Sequence, residues 1–262
     1  MTEYKIIDCH WHPAADEETD CNWFGSSGTL QEQMDALKRV GISRACGAPV
    51  RSLPRPSFDR IRELNELAFR VRDQLPDFYV PAIQVHPRFP EESCREIERC
   101  CGSEGVRWIG ELVGYMMGYG DDYAGGGALE IMRAAEEYRV PVNLHCSDLG
   151  VLRKLCRAVP DLPVVLAHPT QEKATLGGRL ECVKAHDNLY LDIAGSGIAR
   201  LGMLRQAIDT VGRDKILFGT DYPINNPAIY VHGVLFEDLT DAERRAVFSG
   251  NFERLTAGKR ES

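Results

Sequence analysis

Eight apolar segments of strand length recur along the 262 residues, at 5–10, 42–48, 78–85, 106–112, 140–146, 163–168, 189–194 and 215–220. Most are nearly continuous rather than alternating, as in Val164-Val165-Leu166-Ala167. That pattern suits strands of a parallel sheet, covered by helices on one face and filled by core side chains on the other. The intervening stretches carry helical spacing: Leu30, Met34 and Leu37; Ile61, Leu64, Leu67, Ala68 and Val71; Leu176, Leu180 and Val183; Leu201, Leu204, Ile208 and Val211. Each stripe would bury one helix face. Thr29-x-x-Glu32 and Thr240-x-x-Glu243 fit capping boxes that start helices. Eight βα repeats predict a single (β/α)8 TIM barrel of the α/β class. No Gly-x-Gly-x-x-Gly follows the first strand, which argues against a doubly wound open sheet. With 44% hydrophobic residues the chain can bury a large core, and one domain over residues 1–262 is expected.

Lys plus Arg total 31 against 39 for Asp plus Glu, a formal charge of −8. This disfavours nucleic acid and anionic membrane as partners and favours a small-molecule substrate; a homo-oligomer stays open. No basic segment with an apolar h-region opens the sequence and no run approaches membrane-spanning length, so a cytoplasmic location is expected. The nine cysteines form no C-x-x-C pair and do not resemble a secreted disulfide framework. By strand alternation Cys9 and Cys146 are expected to point away from their histidine neighbours, into the barrel's outer layer. The glycine clusters Gly125-Gly126-Gly127 and Gly195-Ser196-Gly197 follow the fourth and seventh strands, where they would make turns or, less often, cradle a phosphate.

In a barrel of this kind the active site lies at the carboxyl ends of the strands. His10 and His12 close the first strand, where alternation lets both point the same way and share one cation. Glu111 closes the fourth strand, His145 the fifth, His168 the sixth and Asp221 the eighth. A lone strand-end histidine is more often a hydrogen-bonded core or surface residue, but four converging on one rim suggest a divalent-metal site. His86, after the third strand, reads as a pocket wall or substrate contact.

These residues resemble the amidohydrolase superfamily, especially its "amidohydrolase 2" branch of metal-dependent hydrolases and decarboxylases. The resemblance rests on Asp8-x-His10-x-His12, Gly110-Glu111-Leu112, Asn143-Leu144-His145, Leu166-Ala167-His168-Pro169, Phe218-Gly219-Thr220-Asp221-Tyr222-Pro223 and the closing Gly250-Asn251-Phe252-Glu253-Arg254-Leu255. It implies metal binding by His10, His12, His145 and Asp221, with His168 as ligand or electrostatic helper. Two-metal members often carry a carboxylated lysine on the fourth strand, where this chain has Glu111. A branch resembling metal-dependent deoxyribonucleases uses a glutamate there to bridge two ions, so Glu111 is counted as a ligand and one or two ions are expected. Zinc is the default for such a ligand set, with manganese an alternative.

The expected chemistry is hydrolysis of an ester, lactone or amide by a metal-activated water, with Asp221 as general base and His168 polarising the carbonyl. The alternative is non-oxidative decarboxylation of a small, aromatic carboxylic acid. A non-catalytic metal carrier and a nuclease fit less well. Arg88 and Tyr115, with His86 and Tyr222, are the candidate substrate contacts. Arg51, Arg55, Trp11, Trp23 and Met116 are further loop residues that would suit an anionic, partly apolar compound.

Overall fold

The computed structural model describes residues 3–257. Each of the eight apolar segments contributes a strand: β1 (Ile7–Asp8), β2 (Arg44–Gly47), β3 (Tyr79–Pro81), β4 (Ile109–Leu112), β5 (Val142–Leu144), β6 (Val164–Leu166), β7 (Leu189–Asp192) and β8 (Ile216–Leu217). Between and after them run α1 (Leu30–Arg39), α2 (Phe58–Gln74), α3 (Pro90–Ile97), α4 (Gly114–Met117), α5 (Gly126–Glu137), α6 (Leu149–Ala158), α7 (Lys173–Lys184), α8 (Met203–Val211), α9 (Pro227–Phe236), α10 (Asp241–Arg245) and α11 (Asn251–Thr256). All strand pairs are parallel, in the order β1-β2-β3 and β4-β5-β6-β7-β8.

Two seams join these sheets into a ring. At the β3/β4 seam Ile83 N donates to Trp108 O and Gly110 N to Ile83 O, at 3.3 and 2.8 Å. At the β8/β1 seam Cys9 N donates to Phe218 O (2.9 Å), Asp221 N to His10 O (2.8 Å) and His12 N to Tyr222 O (2.9 Å). The result is an eight-stranded parallel barrel wrapped in helices, the TIM-barrel architecture.

The lumen is filled by a cluster that takes Ile7 and Cys9 from β1 and its extension, with Cys46, Ala48, Ala82, Trp108, Val165 and Leu217 from other strands and their flanks. Phe252 and Leu255 of α11 close it from below, the Phe252 ring standing 5.3 Å from that of Trp108. Cys9 is therefore a lumen residue and not part of the outer layer. Strict alternation fails here: Cys9 N reaches β8 whereas Trp11 N reaches Cys46 O of β2, so the strand is irregular between them and both Cys9 and His10 face inward. Cys146 does sit in the outer layer, within the large cluster between strands and helices. Trp11 also lies there, edge-on to Phe78 and Tyr79, and not on a substrate loop.

Both capping boxes form, at Thr29/Glu32 and Thr240/Glu243. The α2 stripe buries Ile61, Leu64, Leu67, Ala68 and Val71, and α7 buries Leu176, Leu180 and Val183. Leu201 departs from expectation: Gly202, at φ 82°, caps α8 after it, and the leucine is 80% exposed. No helix among the described residues is long and apolar enough to cross a membrane.

Candidate metal centre

His10 and His12 point their Nε2 atoms at each other across 3.2 Å. Each ring is fixed from behind, His10 Nδ1 on Asp192 Oδ2 at 2.9 Å and His12 Nδ1 on the Ala48 carbonyl at 3.1 Å. Both partners accept, so each Nδ1 donates, and in the neutral rings both Nε2 atoms present lone pairs to one another. Two facing lone pairs repel unless a cation sits between them. Donors bound at ~2.0–2.1 Å in a tetrahedron stand about 3.3 Å apart, which matches the spacing here.

Carboxylates complete the set. Asp221 Oδ1 lies 3.4 Å from His12 Nε2 and 3.7 Å from His10 Nε2, while Asn225 Nδ2 donates to its Oδ2 at 3.0 Å. Asp221 and His168 both sit at positive φ, 60° and 68°, as the chain turns off β8 and β6. Glu111 Oε2 lies 3.2 Å from His10 Nε2 and 3.4 Å from His12 Nε2. Its Oε1 faces the other way, 3.4 Å from His145 Nδ1 and 3.3 Å from His168 Nε2. One buried glutamate thus stands between two groups of donors. Alternation from the lumen residue Trp108 would turn Glu111 outward; the irregular β4/β5 register between Ile109 and Leu112 turns it in. Gln84 Nε2 holds the Glu111 carbonyl at 2.9 Å.

Electrostatics agree with a cation-seeking site. Burial pulls the His10 pKa down, but Glu111 and Asp192 more than reverse this and hold it well above the ordinary imidazole value. For His12 the bonds to Asp221 and Glu111 likewise outweigh burial and raise it to about 9. Burial raises Glu111, and His10 above all outweighs that, keeping the carboxyl ionised far below its usual range. In the metal-free protein, protons thus take the place where a cation would go. Among the described residues Glu111 Oε1 and His168 Nδ1 are buried without a hydrogen-bond partner. The donor set of imidazoles and carboxylates, with these atoms unspent, fits one or two divalent cations: His10, His12 and Asp221 on one side, His145 and His168 on the other, Glu111 between.

Sequence reasoning missed Asp192, at the end of β7, which braces His10 and also accepts from Asn143 Nδ2 at 2.9 Å. Of the candidate substrate contacts, Tyr115 is exposed at the mouth, its ring 5.2 Å from that of His145. Tyr222 is partly buried and joined to the site through its carbonyl, which accepts from His12 N. His86 is fully buried, with Nε2 donating to Met117 O at 2.9 Å and Nδ1 accepting from Arg88 N at 3.1 Å, so neither ring nitrogen is free for a ligand. The Arg88 guanidinium donates to Gly118 O at 2.7 Å. His86 and Arg88 together tether the α4 turn that carries Tyr115. Arg51 is taken up by Asp16, Glu18 and Glu63, and Arg55 is exposed. The glycines of Gly195-Ser196-Gly197 make room: a Cβ would lie 2.3 Å from His168 Nδ1 at Gly195 and 2.7 Å from the Pro169 ring at Gly197.

Comparison with known proteins places residues 7–255 in the Amidohydro_2 family, described as amidohydrolase. A search of curated proteins returns no match. Among solved structures, the chain is similar to a dihydroxybenzoic acid decarboxylase from Polaromonas sp. with bound manganese and the inhibitor 2-nitroresorcinol. The TM-score is 0.76 at 16% identity, over 97% of each chain. It is also similar to a 5-carboxyvanillate decarboxylase from Novosphingobium aromaticivorans complexed with manganese and 4-hydroxy-3-methoxy-5-nitrobenzoic acid. Here the TM-score is 0.73 at 16% identity, over 97% of this chain and 96% of that one. An uncharacterised TIM-barrel protein from Bordetella bronchiseptica matches with TM-score 0.72 at 20% identity, over 97% and 98%. At these identities the likeness concerns the fold. With a family match over nearly its whole length, on a barrel that gathers four histidines and two carboxylates at one mouth, this chain belongs to the amidohydrolase 2 family.

Proposed function

We propose that the protein is a divalent-metal-dependent enzyme acting on a small substrate, by non-oxidative decarboxylation of an aromatic carboxylic acid or by hydrolysis of an ester, lactone or amide bond. The observation that carries this reading is Glu111, whose two carboxylate oxygens each face a separate group of histidines. When bound, a divalent cation lowers the pKa of a water from ~15.7 toward ~7 and polarises a carbonyl. His10, His12, Asp221, Glu111, His145 and His168 would hold it. Zinc suits the imidazole-rich set, and manganese accepts the same donors.

In the hydrolytic case the chain's own groups do the rest. Asp221, with Oδ2 held by Asn225 and Oδ1 turned to the centre, takes the proton of the attacking water and returns it to the leaving group. His168 stands across from it to steady charge on the carbonyl oxygen. Tyr115 offers an apolar wall beside His145.

Between the two reactions, the similar manganese-bearing structures are decarboxylases of aromatic acids, which favours loss of CO₂ over hydrolysis. In that reaction a protonated side chain of the cluster delivers H⁺ to carbon. The deciding experiment incubates protein reconstituted with zinc or manganese with lactones, amides and hydroxybenzoates, following acid release and CO₂ together. Acid without CO₂ establishes hydrolysis; CO₂ without water uptake establishes the lyase. Full turnover after exhaustive chelation overturns both. Asp221→Asn should lower kcat by ~10²–10⁴ in the hydrolytic case.

A further inference from the structure

Arg179 projects from α7 into the wall behind His145 and His168. It is 8% exposed, and its Nη1 donates to Ala167 O (2.9 Å) and His168 O (2.8 Å) while Nη2 donates to Cys146 O (3.3 Å). Among the described residues no carboxylate lies within ion-pair distance of it. Burial lowers its pKa below the ordinary guanidinium value, yet an arginine stays charged. A buried cation held only by carbonyls is unfavourable compared with an apolar side chain of similar volume, so its three bonds call for a reason. They tie the end of β6 to the end of β5, at His168 itself and at the residue after His145.

His168 needs such a tie. Its main chain sits at φ 68°, and its ring Nδ1 has no partner. His10 and His12 are aimed by hydrogen bonds at Nδ1; His168, whose Nε2 faces Glu111 Oε1, has no such brace at Nδ1 and is held from behind by its main chain, with N–H donating to Asp192 Oδ1 at 3.2 Å and C=O accepting from Arg179. Gly195 beneath the ring completes the seat, since a Cβ there would collide with it.

We infer that Arg179 is a positioning residue, whose guanidinium holds the β5 and β6 ends so that His145 and His168 face Glu111 Oε1. The inference rests on the reading of Glu111 as a carboxylate between two cation-binding groups.

Two measurements on full-length wild type, Arg179→Lys and Arg179→Met test it. The first is the imidazole ¹H–¹³C NMR spectrum of metal-free protein, with rings assigned from single His→Gln variants. Arg179→Met should shift or broaden the His145 and His168 signals and leave those of His10 and His12 in place, and lysine should restore part of the change. The second is cobalt titration against a competing chelator. Arg179→Met should weaken, by ~10- to 100-fold, the step that His168→Gln also weakens, and spare the step that His12→Gln abolishes. Unchanged His145 and His168 signals with unchanged cobalt affinity overturn the inference. So does equal perturbation of all four rings and both steps, which would mark general loosening. If wild type takes up a single cobalt ion, the two-cation reading fails by itself, and the metal-free spectra still decide Arg179. Should Arg179→Met not fold, Arg179→Lys carries both measurements, because it keeps the charge and stem and loses the fork.

Discussion

Asp192 accepts four hydrogen bonds, from His10 Nδ1, Asn143 Nδ2 and the main-chain N–H groups of His168 and Ala194. Burial alone would raise its pKa; His10 first among its partners reverses that and keeps it ionised. A carboxylate behind a ligating imidazole fixes the tautomer and raises basicity, so Asp192→Asn should weaken metal affinity by ~10- to 100-fold, read by zinc competition with a chromophoric chelator. An unaltered affinity would remove Asp192 from the site. The residue was hidden in the sequence because Ile193 and Ala194 continue the apolar run past it; its one signal is that a carboxylate inside a buried strand must find a partner. His12 supplies the pH dependence. Its pKa of about 9 in the metal-free fold exceeds the unfolded value of ~6.5. It therefore stabilises the metal-free protein fully below about pH 6.5, and this contribution is lost as pH rises through about 9. A metal must displace the same proton, so apparent affinity should fall about tenfold per pH unit for each proton displaced as pH drops below about 9. Affinity that is flat between pH 6.5 and 9 would contradict protonated ligand rings.

At the scale of strands and helices, the eight apolar runs, the two capping boxes and the α2 and α7 stripes follow from local patterning, and they were legible for that reason. Thr240→Ala should cost about 1 kcal/mol of stability, measured by urea unfolding, because the α10 cap loses the bond to Glu243 N. The breaks in alternation at Cys9–His10 and within β4 were not legible. They arise where main-chain pairing to two neighbours must be reconciled around a closed ring, a condition no window of sequence contains. Gly110 marks one of them: at φ 90°, a Cβ would lie 2.1 Å from Asn143 O. Gly110→Ala should therefore lose about 1–3 kcal/mol and also disturb metal binding, since Glu111 is the next residue. If the variant unfolds and binds metal as wild type does, the β4 irregularity does not serve the site.

Across the molecule, six candidate ligand positions that span residues 10 to 221 meet at one end of the barrel, as their common place at strand ends foretold. Which imidazoles would pair with which oxygen was not foretold, because that depends on the ring-wide stagger of the strands. Bringing so many ionisable groups together ties the fold to its cation. At free metal about a hundredfold above Kd, binding to the folded state alone adds about 2.7 kcal/mol, or roughly 5–10 °C in Tm for a chain of this size. Differential scanning calorimetry with and without chelator should show that shift; coincident melting curves would mean that the ligands do not hold metal in the folded state. The floor of the barrel carries a different consequence. Phe252 and Leu255, which seal the lumen beneath Trp108 and Leu217, are translated after every strand. Until they leave the ribosome the nascent barrel has an open base, so its interior can dry only after the eighth strand has already been made.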